Sequence, residues 1–211
     1  MIKIGITGGI GSGKSVVSSL LAMNEIPVYT ADAESKRLSD ASPVIRKKLE
    51  ALFGSDIYVD GRLDRKRLAS FIFSSEKILK KVNEIIHPVV NKDFRAWTKR
   101  QESSACAIES AILVESGFDK AVDVILLVYA PVELRLARAM KRDGATEANI
   151  MKRMNRQMPD ELKRKQADFV IINDGVQALI PQMDCFLKLL FSGNFRLNNK
   201  NIFRALTDEN E

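Results

Sequence analysis

A chain of 211 residues with 45% hydrophobic and 28% charged residues has the material for a substantial core and no reason to stay disordered. Its formal net charge of +6 and pI of about 9.3 suit an anionic partner, and phosphorylated small molecules satisfy that balance as well as nucleic acid does. Two cysteines, Cys106 and Cys185, without metal-site spacing exclude a disulfide framework and a thiolate metal site, and no apolar run approaches the ~18 residues that span a bilayer.

The first residues form a strand pattern rather than a basic leader followed by an apolar block, so a cytosolic protein without membrane partners is expected. Ile2 to Thr7 reads as a short buried strand stopped by glycine. Lys14 to Met23 reads as a helix, and Pro27 to Tyr29 as a second short strand. This strand–loop–helix–strand unit predicts parallel strands. Between strand and helix, Gly8-Gly9-Ile10-Gly11-Ser12-Gly13-Lys14-Ser15 fits G-x-x-x-x-G-K-[ST]. Glycines let successive N–H groups turn inward toward phosphate oxygens, and the helix adds its positive dipole end. Lys14 can reach the β- and γ-phosphates of a nucleotide, and the Ser15 hydroxyl can bind magnesium. A strand, a full motif and a helix in register make a chance glycine turn a poor alternative.

Asp32 follows the second strand. Parallel strands put their carboxyl ends on one sheet edge, so Asp32 is expected on the edge that carries the phosphate loop. A carboxylate there can orient an alcohol and accept its proton during phosphoryl transfer. Position alone equally allows Asp32 to cap a helix beginning at Ala33.

From Ala33 to about Gln101 the texture turns helical, interrupted by the polar loop "GSDIYVDGRLD", with Asp64 a candidate N-cap for the helix that follows. Pro88, after the lone histidine His87, is expected to end or kink its helix. Trp97 and the phenylalanines at helical spacing read as core. Strand-like segments return at Ala105–Ile108, Ala111–Val114, Val122–Ala130 and Phe169–Ile172. The core is therefore discontinuous in sequence.

Pro131 to Gln166 holds ten Lys or Arg against five acids and reads as two helices broken at Asp143-Gly144, with Thr146 a candidate cap for the second. Arg135, Arg138 and Arg142 share a helix face at i, i+3, i+7, and Arg153 and Gln157 are expected to share one on the next helix. Guanidinium groups stabilise the charge of phosphoryl transfer, and such a helical pair can close over a nucleotide as a water-excluding lid. A solvated basic face is the competing reading. Met140, Met151, Met154 and Met158 are expected to pack the lid. The polar, weakly patterned tail after Leu190 reads as frayed.

The fold class expected is thus α/β, a P-loop NTPase-type parallel sheet flanked by helices, with a helical insertion and a helical lid. The core comprises 1–34, 102–130 and 167–211, the insertion 35–101 and the lid 131–166. Guanine-switch proteins are excluded because Asn91-Lys92-Asp93 places the acid one position early for N-K-x-D and no Asp has Gly three residues on. The apolar runs ending in Glu115, Ala130 and Asn173-Asp174 fit transport and motor ATPases poorly. A small-molecule kinase fits best, and a non-catalytic nucleotide- or nucleic-acid-binding module is the alternative from another class. The lid's basic residues do not interleave with aromatics, which argues against nucleic acid.

From Ile4 to about Gly175 the chain resembles the dephospho-coenzyme A kinase family. The resemblance rests on "GITGGIGSGKS", "DAESKRL", "DGRLDRKRLASFIF", "EIIHPVV", "LVES", "RLARAMKRDGATEANIMKRMNRQM" and "ADFVIINDG" in that order. It implies ATP- and magnesium-dependent phosphorylation of the ribose 3′-hydroxyl of dephospho-CoA, giving CoA and ADP. Another P-loop kinase, for a nucleoside or sugar, is the alternative. The resemblance implies roles as follows: Asp32 as base, with Lys14 and Arg138 at the transferred phosphoryl; Gly9, Gly11, Ser12, Gly13, Lys14, Ser15 and Val16 as ATP loop; Arg142 at the lid and Asn173 near the adenine; Arg65 and His87 in the substrate domain. The chain departs from the family at Thr30, where an acid is usual, at Val16 for threonine, at Ala111 for proline and at Arg135 for glutamine.

Overall fold

The computed structural model describes residues 1–192; the expected frayed tail, from 193 on, lies outside the described residues. The described residues divide into two compact units, one of Met1–Val28 and residues 102–192, the other of Tyr29–Gln101.

The first unit is built on β1 (Ile2–Thr7), followed by α1 (Lys14–Met23) and by β2 (Val28–Thr30), which runs into the second unit. The second unit holds α2 (Ala31–Ala41), α3 (Pro43–Phe53), the strand pair β3 (Tyr58–Val59) and β4 (Arg62–Leu63), α4 (Arg65–Ser74) and α5 (Glu76–Thr98). The chain then returns through β5 (Ala105–Glu109), β6 (Val124–Tyr129), α6 (Val132–Asp143), α7 (Glu147–Met154), α8 (Asp160–Gln166), β7 (Phe169–Ile172) and α9 (Leu179–Phe191).

The main sheet is ordered β2-β5-β1-β6-β7. β1 pairs parallel with β5 on one side (Ile4↔Ala107) and with β6 on the other (Ile6↔Leu126), and β6 pairs parallel with β7. Strands buried on both faces explain why "VILLVY" is an apolar run without alternation; in "IKIGIT" isoleucine alternates with Lys3, Gly5 and Thr7, yet every residue from Ile4 to Thr7 is buried. Ile4, Ile6, Leu126, Ile171 and Phe186 are fully buried and share one core with Val17 and Leu21 of α1. Because β1 has neighbours reached in both directions, its carboxyl end opens at the switch point where α/β sheets bind ligands.

The segment Ala111–Val114, expected as a strand, is instead a chain of turns. Ser116 N donates to Ile112 O (2.9 Å), Gly117 N to Val114 O (2.9 Å) and Phe118 N to Leu113 O (2.9 Å). Its apolar content serves as a plug: Leu113 is wholly buried, and a Cβ at Gly5 of β1 would lie 2.6 Å from its Cδ2.

In the second unit, α2, α3 and α4 all pack on α5. Val82, Ile86, Val90 and Phe94 form the buried face of α5, four residues apart along the helix. That face runs uninterrupted past Pro88, so α5 continues from Glu76 to Thr98 where the sequence suggested an end or a kink. Proline removes one N–H from a long ladder, and packing on both sides of it supplies the compensation. Tyr29, Phe94 and Trp97 form an aromatic cluster, with centroids 5.3 and 5.5 Å from Tyr29. Three of the helix starts are capped by side chains: Ser42 Oγ accepts from Ile45 N (3.4 Å), Asp64 Oδ1 from Arg67 N (3.0 Å) and Ser75 Oγ from Ile78 N (3.4 Å). Part of the polar loop is a tight hairpin. Asp60 and Gly61, both at positive φ (49° and 79°), join β3 to β4 in the manner of a primed turn.

Candidate active site

β1 delivers the chain at its carboxyl end into Gly8–Gly13, and α1 begins at Lys14. Two glycines here answer to geometry rather than composition. Gly11 has φ 79° and Gly13 φ 92°, left-handed values that side chains resist. A Cβ on Gly11 would lie 2.2 Å from the carbonyl oxygen of Arg135, and one on Gly13 would lie 2.0 Å from Asn173 Nδ2. The loop is thus embraced closely by α6 and by the residue after β7.

Lys14 Nζ donates to the carbonyls of Gly8 (3.0 Å) and Gly9 (3.1 Å), arching over the loop. The hydroxyls of Thr7 and Ser12 are wholly buried and have no hydrogen-bond partner among the described residues. Unsatisfied buried donors are costly, so two of them beside a glycine loop and a helix N-terminus fit an anion-binding cradle. Ser15 is exposed, and its Oγ has no partner among the described residues. Among those residues no group of three or more His, Cys, Asp or Glu could hold a metal. The donors therefore fit a magnesium ion carried mainly by phosphate and water, with Ser15 adding one oxygen.

Two residues expected separately, Asn173 and Arg138, come together at Ser12. Asn173 Nδ2 donates to Ser12 O (2.8 Å), while Arg138 donates from Nη1 to Asn173 O (2.9 Å) and from Nη2 to Asn173 Oδ1 (3.5 Å). The end of β7, the lid helix α6 and the loop are thus one network.

The three arginines spaced along α6 diverge. Arg135 turns inward and is buried, its Nη2 2.8 Å from Asp160 Oδ2. Arg142 stays exposed and binds Asp143 through Nε (2.7 Å) and Nη2 (3.1 Å), and Arg153 Nη1 reaches the same carboxylate at 2.6 Å. Those two guanidiniums hold the Asp143 carboxyl well below the usual carboxylate range. Burial pushes the Asp160 carboxyl up, against the pull of Arg135.

The lid has three helices rather than two. α8 follows Pro159 and is pinned by Lys163, which is fully buried, donates to Ala111 O (2.6 Å) and lies 3.4 Å from Glu115 Oε1. Thr146 stands at the N-cap of α7, but its side chain makes no capping bond. α7 ends at Met154, so Arg153 and Gln157 do not share a helix face: Gln157 lies in the following turn, where its Oε1 accepts from Ile10 N (2.9 Å). Ala139, Ile150 and Met154 form the lid's own core, with Met140 and Met151 packed on it. Beside this core lies a cavity of about 350 Å³ lined by Val132, Arg135, Met151, Gln157, Met158 and Asp160, among others.

In the second unit, Asp32 sits in the first turn of α2. The helix begins at Ala31 with Thr30 at the cap position, so Asp32 is not its N-cap. Its carboxylate is exposed and makes no hydrogen bond or ion pair among the described residues. Arg65 Nη2 bonds Asp40 Oδ2 (2.6 Å) and Lys36 O (3.0 Å), tying the start of α4 to α2. His87 is half-buried on α5, and burial lowers its pKa. Tyr29 OH donates to Asp93 Oδ2 (2.8 Å), and burial with that carboxylate raises the phenol far above its usual range.

Sequence reasoning passed over Glu109. It ends β5 beside β1, and its Oε2 accepts from Ser18 Oγ of α1 (2.9 Å). The signal was an acid closing "ACAIE", a run too short to stand out against the longer apolar stretches. Asp160 and Lys163 were visible only as charges in a basic segment.

A five-stranded parallel sheet flanked by helices, with a glycine-rich phosphate loop between its central strand and a helix, defines a P-loop nucleotide-binding protein of the small-kinase type. Solved structures share the fold: TT1252 from Thermus thermophilus (TM-score 0.77, 35% identity, 91% of this chain and 97% of that one) and a shikimate kinase from Acinetobacter baumannii (TM-score 0.54, 18% identity, 94% and 96%). The family model for dephospho-CoA kinase matches residues 2–178. Dephospho-CoA kinases of Bacteroides fragilis and Porphyromonas gingivalis are 52% and 50% identical, over 86% and 87% of this chain and 89% and 91% of theirs. The chain belongs to the dephospho-CoA kinase family. Among the described residues no helix is long and apolar enough to cross a membrane.

Proposed function

We propose that this chain transfers the γ-phosphoryl group of magnesium-bound ATP to the ribose 3′-hydroxyl of dephospho-CoA, releasing CoA and ADP. The observation that carries the reading is an intact, well-anchored phosphate loop in a chain matching the dephospho-CoA kinase family over residues 2–178. Main-chain amides of Gly9, Gly11, Ser12 and Gly13, extended by Ser15 and Val16 at the start of α1, hold the phosphates. Lys14 leaves the carbonyls of Gly8 and Gly9 to meet the β- and γ-oxygens, and Ser15 gives magnesium an oxygen. Magnesium, when bound, draws charge from the phosphates. Arg138 and Arg142 supply positive charge from the lid, and Asn173 steadies the loop near the base.

Asp32 is the base. The acceptor oxygen attacks the γ-phosphorus, the bond to the β-bridging oxygen breaks, and the acceptor proton passes to the Asp32 carboxylate. Its exposed carboxylate, free of partners among the described residues, supports that role. Residues 35–101 form the substrate domain, with Arg65 and His87 facing the CoA moiety. Residues 1–34, 102–130 and 167–192 form the nucleotide core and 131–166 the lid; the rest of the core expected to run to 211 lies outside the described residues. The partner is a small molecule in the cytosol, and nucleic acid has no part.

A coupled ADP-release assay over dephospho-CoA, nucleosides, sugars and shikimate tests this. ADP release that depends on dephospho-CoA is expected. Turnover of another alcohol with dephospho-CoA inert would overturn the reading.

A further inference from the structure

We propose that Arg135 and Asp160 form a positioning clasp that sets the outer arm of the phosphate loop, with the Arg135 guanidinium occupying the volume a side chain at Gly9 would take. Gly9 is not among the glycines at positive φ, so its φ does not itself exclude a side chain. What forbids a side chain is the neighbour: a Cβ at Gly9 would lie 1.5 Å from Arg135 Nη1 and 2.7 Å from its Cζ. The next two loop residues are gripped from the same side. Ile10 N–H is taken by Gln157 Oε1 (2.9 Å), and the Cβ position of Gly11 is blocked by the Arg135 backbone at 2.2 Å. Three successive residues of the arm therefore each meet the lid.

The guanidinium is itself fixed. Arg135 and Asp160 side chains are 8% and 11% exposed and 2.8 Å apart. Arg135 Nε is buried without a hydrogen-bond partner among the described residues, so the ion pair with Asp160 is what holds that head group. Asp160 opens α8, and one turn on, buried Lys163 anchors that helix through Ala111 O. The chain of support runs from Lys163 through Asp160 and Arg135 to Gly9. A loop whose amides are held in shape before the nucleotide arrives binds it more tightly, because the ordering cost is already met.

The clasp rests on the nucleotide-binding part of the proposed function. Its test is ADP affinity by calorimetry with magnesium present, which needs no acceptor and no turnover. Gly9→Ala is expected to weaken ADP about tenfold by overpacking against the guanidinium. Arg135→Ala is expected to weaken it about fivefold, and Gly9→Ala added to Arg135→Ala costs less than about twofold more, since the space is vacated. Dephospho-CoA affinity stays within about twofold in each, whereas general loss of structure moves both ligands. Should Arg135→Ala not fold, Asp160→Asn keeps the shape and is expected to weaken ADP likewise. An equal penalty for Gly9→Ala with and without Arg135 would overturn the clasp, as would unchanged ADP affinity in Asp160→Asn. If wild-type protein binds ADP as expected but not dephospho-CoA, the substrate reading fails and the clasp stands.

Discussion

Asn173→Ala separates the network around the loop from the rest of the fold. The side chain makes one good hydrogen bond, from Nδ2 to Ser12 O at 2.8 Å, and one at the limit, accepting from Arg138 Nη2 at 3.5 Å. The stronger Arg138 contact is to the backbone carbonyl of residue 173 and survives truncation. The loss is therefore one bond plus a carbonyl in fully buried Ser12 left without its partner, about 2 kcal/mol. For a chain of this size that lowers Tm by about 4–8 °C. The variant also removes the prop beside Gly13, whose left-handed backbone then holds its shape alone. The ATP KM is expected to rise about tenfold, the factor that corresponds to 1.4 kcal/mol. Scanning calorimetry with and without Mg-ADP, alongside steady-state kinetics, reads both effects. A Tm within about 1 °C of wild type together with an unchanged ATP KM would refute the claim that Asn173 shapes the loop.

Lys14→Ala is expected to lower kcat/KM for ATP by about a thousandfold, the scale of losing a preorganised charge on the transferred group, and retained activity would show that Lys14 stays on its loop carbonyls. Asp32→Asn should keep ATP affinity while turnover falls about a hundredfold or more; near-normal turnover would remove it as the base. Because burial lowers the pKa of His87, the folded protein binds fewer protons there than the unfolded chain. That group's contribution to stability is complete above the unfolded pKa of about 6.5 and falls away as the solution is acidified below it. His87→Gln should flatten urea-stability profiles between pH 7 and about 5.5, and a profile as steep as wild type would count against it.

The phosphate loop was legible in the sequence because its chemistry is local. Spacing, glycines and flanking elements sit within Ile2 to Met23, and the structure reproduces that helix to the residue. The cap at Asp64 and the termination of α6 at Gly144, φ 60°, were legible for the same reason. What escaped depended on partners far along the chain. Ala111–Val114 is apolar because Leu113 fills space beside Gly5, a fact that periodicity over four residues does not carry. Pro88 signals a break on its own, and only the buried face of α5 on both sides overrides it. Arg135 has the same spacing as Arg138 and Arg142, yet Asp160 turns it inward while the others find Asn173 and Asp143. Glu109 gains meaning once β5 lies beside β1 and Ser18 of α1 meets its carboxylate.

The most direct measurement is identification of the product after incubation with Mg-ATP and dephospho-CoA, by mass spectrometry and phosphorus NMR. The account predicts one phosphoryl group added per ADP formed, resonating as a monoester at the ribose 3′ position. ADP accompanied by inorganic phosphate alone, or a phosphoryl group elsewhere on the acceptor, would contradict it.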